Sequence, residues 1–348
     1  MLILSAGEVV AALEPGACIA AVERAFRLLG EGTVAAPAVC GVHAEGGVFH
    51  LKAGMLPDED RRPFFAAKVN ANFRDNPRLH GLPTIQGAVL LFDGALGTPL
   101  ALLDTASLTA CRTAAATAVA ARRLARPGAS TLALVGCGVQ GLAHLAFLTA
   151  VLPLRAVWLA DPDAEAVRRC AREATRLGLA AHAAPDSRAA ARQCEVVVTC
   201  TPGREVVIGA GDVSPGAFVA GVGADNEAKR ELDPSLLARA TVVTDLREQC
   251  ARMGDLHHAL AAGALDLTGV HAELGEVVAG RRPGRTSEDE VIVFDSTGLA
   301  IQDAAAAIVA WRGAVASGRA FTLDAGSSQR RPPAASSATA SSSSSTGW

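Results

Sequence analysis

The chain has 348 residues, half of them apolar and only 19% charged, which is enough for two domains with cores of their own. Its formal net charge is −3 and the charges are dispersed, which argues against a basic nucleic-acid face or a polybasic membrane patch. The eight cysteines show neither C-x-x-C nor zinc-finger spacing, so they suit a reducing cytoplasm better than a disulfide or metal framework.

The N-terminus carries Glu8 and Glu14 and lacks a basic leader, so no signal peptide is expected. No 18-residue stretch is apolar and charge-free enough to span a bilayer; the nearest, 106–121, is interrupted by Arg112. Residues 6–30 read as one amphipathic helix, with Val9, Val10, Leu13, Ile19, Val22 and Phe26 on its apolar side. Between 33 and 100, "GGVFHLKAGML", "PFFAAKVNANF" and "TIQGAVLLFD" are short apolar runs set between Gly, Pro, Asp and Asn turns. They predict a mostly antiparallel sheet. Residues 107–125 are strongly helical and are stopped by "RPG". From Ser130 the pattern changes. Strands at 131–135, 155–160, 195–200, 217–222, 241–244 and 291–294 alternate with Ala/Arg-rich helices, which predicts a parallel sheet wound with helices. A last helix is expected over 299–318, and the low-complexity stretch 326–348 is expected to be a disordered tail.

The stretch "LALVGCGVQG", 132–141, ends an apolar run in a G-x-G-x-x-G turn before a helix, the context a dinucleotide-binding turn needs. Gly136 permits the tight turn, Gly138 lets the backbone approach a pyrophosphate, and Gly141 lets the helix pack on the strand. The helix N-terminus then favours the phosphates. Asp161 closes the next strand, 25 positions after Gly136, where it would accept hydrogen bonds from the adenosine ribose and repel a 2′-phosphate. NAD is therefore expected over NADP, although Arg168 and Arg169 follow closely. Ligands of open parallel sheets lie outside the carboxyl ends of strands, which brings Thr199, Thr201, Gly223, Asp225 and Ser296 near the cofactor. His257 and His258 read as exposed helix histidines, and Cys111 and Cys137 as packing thiols.

Several stretches together resemble the ornithine cyclodeaminase/mu-crystallin family: "AAKVN" (66–70), "GLPTIQGAVLLFD" (81–93), "LTACRTAAATAVAARRLA" (108–125), "GCGVQG" (136–141), "VGADNEAKRELD" (222–233) and "FDSTGLAIQDAAAA" (294–307). The resemblance runs in collinear order over about residues 5–320. It implies an α/β fold: a Rossmann-type doubly wound parallel sheet inserted in a second α+β domain for substrate and dimerisation. The expected division is 1–112 plus 299–325 for the second domain and 113–298 for the NAD(P)-binding domain. The resemblance assigns Lys68 as the catalytic lysine, Arg112 as the substrate-carboxylate arginine, and Thr84 and Gln140 as cofactor contacts. It makes Asp225 the acid that faces the substrate amine.

Two departures stand out. Where the family often has an arginine after the proline of "AAPAV", this chain has Val39, and Lys52 in "FHLKAG" is expected to supply the missing cation. No acidic residue for the distal amine of ornithine is evident; Asp58, Glu59 and Asp60 are candidates by proximity alone. The resemblance implies an NAD-dependent enzyme acting on the Cα–N bond of a small amino acid, as a homodimer, with ornithine cyclodeamination as the first reading. A cyclic ketimine reductase or an alanine-type dehydrogenase is the second. A non-catalytic crystallin-like binding protein is the third, and it sits poorly with Lys68, Arg112 and Asp225 all being present.

Overall fold

The structure, a computed structural model, describes residues 1–318 and 320–323. The expected tail, 326–348, lies outside the described residues.

Two sheets organise the chain. The first contains β1 (Leu2–Leu4), β2 (Ala38–Ala44), β3 (Gly47–Pro57), β4 (Pro63–Asn72), β5 (Ile85–Asp93) and β6 (Pro99–Asp104). The second contains β7 (Thr131–Val135), β8 (Ala156–Ala160), β9 (Ala180–Ala183), β10 (Val196–Thr199), β11 (Phe218–Gly221), β12 (Thr241–Thr244), β13 (Val270–Glu273) and β14 (Ile292–Asp295). The chain then returns to the first sheet through β15 (Phe321–Thr322).

The first sheet has the order β15-β1-β6-β5-β4-β3-β2, with β2 to β6 antiparallel neighbours in sequence. Register fixes a row across it: Val39, Lys52, Lys68, Val89 and Leu103 lie opposite one another in turn. Side chains alternate between faces, so this row shares one face. That inner face is covered by the helix Ala300–Ser317, which packs on β3 and β4.

The second sheet is parallel throughout, in the order β13-β12-β14-β11-β10-β7-β8-β9. From β7 the chain winds outward through β8 and β9, then returns to β10 on the other side of β7. The crevice at that reversal, outside the strand ends, is where open α/β sheets bind ligands. Both faces are packed, as parallel sheets require.

The helix Thr105–Leu124 joins the two sheets. Asp104 caps it by accepting from the Ser107 amide at 2.8 Å. Its run of buried alanines lets the Pro15–Gly30, Val139–Thr149 and Ala300–Ser317 helices approach closely. The core is continuous from Leu4 through this helix to Ala314.

The structure differs from the sequence reading in a few elements. The helix expected over 6–30 is two, Ala6–Ala12 and Pro15–Gly30. Proline drives its preceding residue toward extended backbone, and Glu14 has φ −53° and ψ 136°. Strands β1, β2, β6, β9, β13 and β15 were not named from the sequence. Four of them, β1, β9, β13 and β15, are only two to four residues long, and β9 is the weakly patterned "AAHA".

Candidate active site

The glycine turn is built as the spacing requires. Gly136 has φ +103°, and a Cβ there would lie 2.8 Å from the Cys200 carbonyl oxygen. Gly138 caps the Val139–Thr149 helix with open space before it. A Cβ on Gly141 would lie 2.3 Å from the Gly136 carbonyl oxygen, so the third glycine sets the closeness of helix and turn. Asp161 accepts from the Cys137 amide at 2.7 Å, which ties the second strand end to the turn.

Two cavities meet here. One, of about 850 Å³, is lined by Gly136, Gly138, Asp161, Arg169, Ser187 and Arg204 among others. The other, of about 450 Å³, lies between the sheets and holds Lys52, Lys68, Arg112, Gln140, Gly223 and Asp225. They share Gly138, Cys200, Thr201 and Pro202. The combined cleft fits a dinucleotide. It has a helix N-terminus at its bend, a carboxylate toward one end, and the buried Gln140 Oε1 without a partner facing the other. Gly136→Ala forces both the turn and the Cys200 backbone to move. We expect a loss of about 1–3 kcal/mol, seen as a lower melting temperature, together with loss of NAD binding by fluorescence titration.

Thr201, Gly223 and Ser296 line the inner cavity, but Thr199 and Thr84 do not. Thr199 is fully buried and its hydroxyl donates to Glu231 at 2.7 Å. Pro83 and Ile85 line the cavity on either side of Thr84. Glu231, which the sequence reading passed over, gathers the Thr199 hydroxyl and the Thr201 and Gly223 amides at 2.5–2.7 Å. One buried carboxylate thus locks together the two loops that follow β10 and β11. Burial raises its pKa above the usual carboxylate range.

The reactive end gathers charges from four elements. Lys68 on β4 lies directly across from Lys52 on β3. Arg112 comes from the Thr105–Leu124 helix and Asp303 from the last helix. Lys68 Nζ lies 2.9 Å from both Asp303 oxygens, and Arg112 Nε is 3.0 Å from Asp303 Oδ1. Arg112 Nη1 also donates to Gln302 Oε1 at 2.9 Å. Gly298, at φ +80°, lies under the guanidinium, where a Cβ would come within 2.5 Å of Nη1. Lys52 Nζ donates to the Thr297 and Gly298 carbonyls at 2.9 and 2.8 Å, leaving one of its three donors free.

Burial pushes the Lys68 ammonium down to about 7, reinforced by Arg112 and Lys52 and resisted by Asp303. Burial and Arg112 lower Lys52 in the same direction. Burial disfavours ionised Asp303, but Lys68 and Arg112 outweigh it and hold that carboxyl below its usual range.

Asp225 stands at the rim, about half exposed, with Lys229 Nζ 2.7 Å away. Lys229 was not singled out from the sequence. Its carbonyl lies 2.9 Å from His258 Nε2, so His258 is half-buried and structural rather than an exposed helix histidine. Asp58 and Glu59 are bound to Arg312, and none of Asp58, Glu59 and Asp60 lines either cavity. Cys111 is buried, and burial pushes its thiol up to about 11, as fits a packing residue. No helix among the described residues is long and apolar enough to cross a membrane.

The family model for ornithine cyclodeaminase/mu-crystallin proteins matches residues 1–317. Alanine dehydrogenase of Archaeoglobus fulgidus is 34% identical over 314 residues, 90% of this chain and 95% of that protein. Among solved structures, an archaeal alanine dehydrogenase dimer with bound NAD superposes with a TM-score of 0.87. It is 34% identical, over 93% of this chain and 98% of that one. The Delta(1)-pyrroline-2-carboxylate reductase of Thermococcus litoralis, in complex with NADH and L-proline, also gives 0.87. It is 29% identical, over 93% and 100%. The fold, the glycine turn and the buried charges between the sheets meet in one conclusion: the chain belongs to the ornithine cyclodeaminase/mu-crystallin family.

Proposed function

We propose that this protein interconverts a small 2-imino acid and the corresponding amino acid, using NAD(H). The observation that carries the reading is the charge balance at the inner end of the cleft. Three buried cations, Lys52, Lys68 and Arg112, meet there, and Asp303 is the carboxylate that pairs with Lys68 and Arg112. Asp225 is taken up by Lys229, and the buried Asp245 by the Ser296 and Thr297 hydroxyls and the Gly298 amide. Such an end attracts a carboxylate. Arg112 offers a planar fork and Lys52 a free donor, both beside Gly298, so one substrate carboxylate is gripped from two sides. Lys52 thereby serves in place of the arginine absent at Val39, its cross-strand partner.

The same balance disfavours ornithine. A second ammonium needs a free acid, and among the described residues the acids at the cavity are already paired. Asp225 is engaged by Lys229, Asp303 by Lys68 and Arg112, and Asp58 and Glu59 by Arg312. Redox-neutral cyclodeamination is therefore the second reading. When bound, the nicotinamide supplies or accepts the hydride at Cα. Lys68 moves the proton at the substrate nitrogen, and Asp225, at the rim, faces the amine. Gly136, Gly138 and Gly141 form the phosphate turn, Asp161 holds the adenosine ribose, and Gln140, Thr201, Gly223 and Ser296 border the nicotinamide. The Asp161 carboxylate favours NAD over NADP.

A panel of amino acids and cyclic imines, followed both for ammonia and for absorbance at the nicotinamide band, tests this. Net NADH consumption with pyrroline- or piperideine-2-carboxylate supports the proposal. Ammonia and proline from ornithine with no net absorbance change would replace it by the cyclodeaminase reading.

A homodimer is also part of the proposal. The outer face of the first sheet carries Val42, Phe49, Leu51, Met55 and Val69, all more than a third exposed and adjacent across β2, β3 and β4. An apolar patch of this kind marks an association surface. We expect Leu51→Asp to convert a dimer into a monomer in sedimentation at micromolar concentration.

A further inference from the structure

Lys68 and Arg112 come from different elements yet share one carboxylate, Asp303, at 2.9–3.0 Å. All three side chains are buried. One negative charge between two positive ones leaves a positive charge uncompensated in a place with little water, which is costly. Arginine cannot shed its proton, so any relief falls on the lysine.

The other groups facing Lys68 do not supply the missing anion. Lys52, opposite on β3, adds a third positive charge. Val89, opposite on β5, is apolar. The Thr297 and Gly298 carbonyls of the loop after β14 are taken up by Lys52, and the buried Asp245 carboxylate behind that loop is taken up by the Ser296 and Thr297 hydroxyls and the Gly298 amide. At the rim, Asp225 and Lys229 pair with each other, and burial keeps the nearby His50 below its usual pKa, favouring its neutral form. The Thr109 hydroxyl, also on the cavity wall, is buried without a partner.

We propose that Asp303 is a positioning residue that couples carboxylate binding to proton loading: when a substrate carboxylate takes Arg112, Asp303 is left to Lys68, which gains the proton it later delivers. This rests on the carboxylate-binding reading above. In the free protein, burial brings Lys68 down to about 7, so at pH 8 it is mostly neutral. A bound carboxylate beside Arg112 and Lys52 raises its proton affinity.

The hydride that a bound reduced nicotinamide would supply, a proton with its electron pair from the broken nicotinamide C–H bond, would form the new C–H bond at the imine carbon. The C=N π pair moves to nitrogen, where a new N–H bond forms. The N–H bond of Lys68 breaks, and its electron pair stays on Nζ. Binding of the next substrate restores the proton from solvent.

Calorimetric titration tests this without turnover. The full-length protein, loaded with NADH, is titrated with pyrrole-2-carboxylate, a planar carboxylate with no imine to reduce. Titrations in buffers of different ionisation enthalpy report the protons exchanged. We expect an uptake of about 0.5–1 proton per site at pH 8 and close to none at pH 6. Lys68→Met should abolish the uptake while retaining binding. Asp303→Asn should move it to lower pH, leaving little at pH 8, and retained NADH fluorescence would show that this variant is folded. If it does not fold, the comparison of wild type with Lys68→Met decides. Binding with no uptake at pH 8, uptake unchanged in Lys68→Met, or uptake at pH 8 unchanged in a folded Asp303→Asn overturns the proposal alone. No binding of the carboxylate to the wild type overturns the carboxylate reading and the coupling together.

Discussion

Lys68→Met is expected to lower kcat for imine reduction by about 10²–10⁴-fold, the usual scale for removing a general acid, while NADH still binds. Methionine keeps much of the stem and removes only the proton-carrying nitrogen. The stem lies among β3, β5 and the last helix, so the fold should tolerate the change, although Asp303 keeps only Arg112 as a partner. The pH dependence has a definite sign. Lys68 is held at about 7 in the free protein by burial. Reduction needs the protonated lysine, so kcat/KM for an imine falls as pH rises through about 7. Amino-acid oxidation needs the neutral lysine as base, so its kcat/KM rises through the same range. Opposite limbs at one pH in the two directions, both lost in Lys68→Met, identify Lys68 as the group. Identical limbs in both directions would point to another residue.

Much of this site was legible before the structure because its signals are local. A strand ending in G-x-G-x-x-G, with Asp161 closing the next strand, needs only a short window. The alternation of short apolar strands and Ala/Arg helices likewise declares a parallel sheet. Lys68, Arg112 and Asp225 came from stretches that resemble a family. The partners of these residues were not legible, because pairing is a product of topology. Asp303 is 235 residues from Lys68, and Gln302 is 190 from Arg112. One signal could have found them. "GLAIQDAAAAIVA" is apolar almost all round, and the first turns of its helix are buried on every side. A charged residue inside such a helix requires a buried partner of opposite sign. Both partners of Asp303, Lys68 and Arg112, were already in view as charged residues set in apolar stretches. Glu231 offers no such clue. It stands in a run of charged residues, "EAKREL", and only the fold turns it inward toward two loops.

Arg112→Lys should cost more than a conservative exchange suggests. Arg112 has three tasks at once: Nε lies beside Asp303, Nη1 donates to the Gln302 side-chain Oε1, and the remaining donors are free for a substrate. A lysine is a point charge without a fixed fork, so it cannot pair with Asp303, donate to Gln302 and grip a carboxylate at the same time. Losing a charge-assisted bidentate contact is worth about 2–4 kcal/mol, or about 30- to 1,000-fold in kcat/KM. The loss should fall mainly on KM, since the carboxylate is held alike before and during hydride transfer. Gly298→Ala gives an independent check that leaves the arginine in place. Its Cβ would press to within 2.5 Å of Nη1 from a backbone at φ +80°, so the guanidinium must tilt away. We expect a KM defect of the same kind for Gly298→Ala. Added guanidinium ion should partly restore an Arg112→Ala protein but leave Gly298→Ala unchanged, because only the former has room for it. Equal rescue of both variants, or an unchanged KM in Arg112→Lys, would mean that the substrate carboxylate sits elsewhere in the cleft.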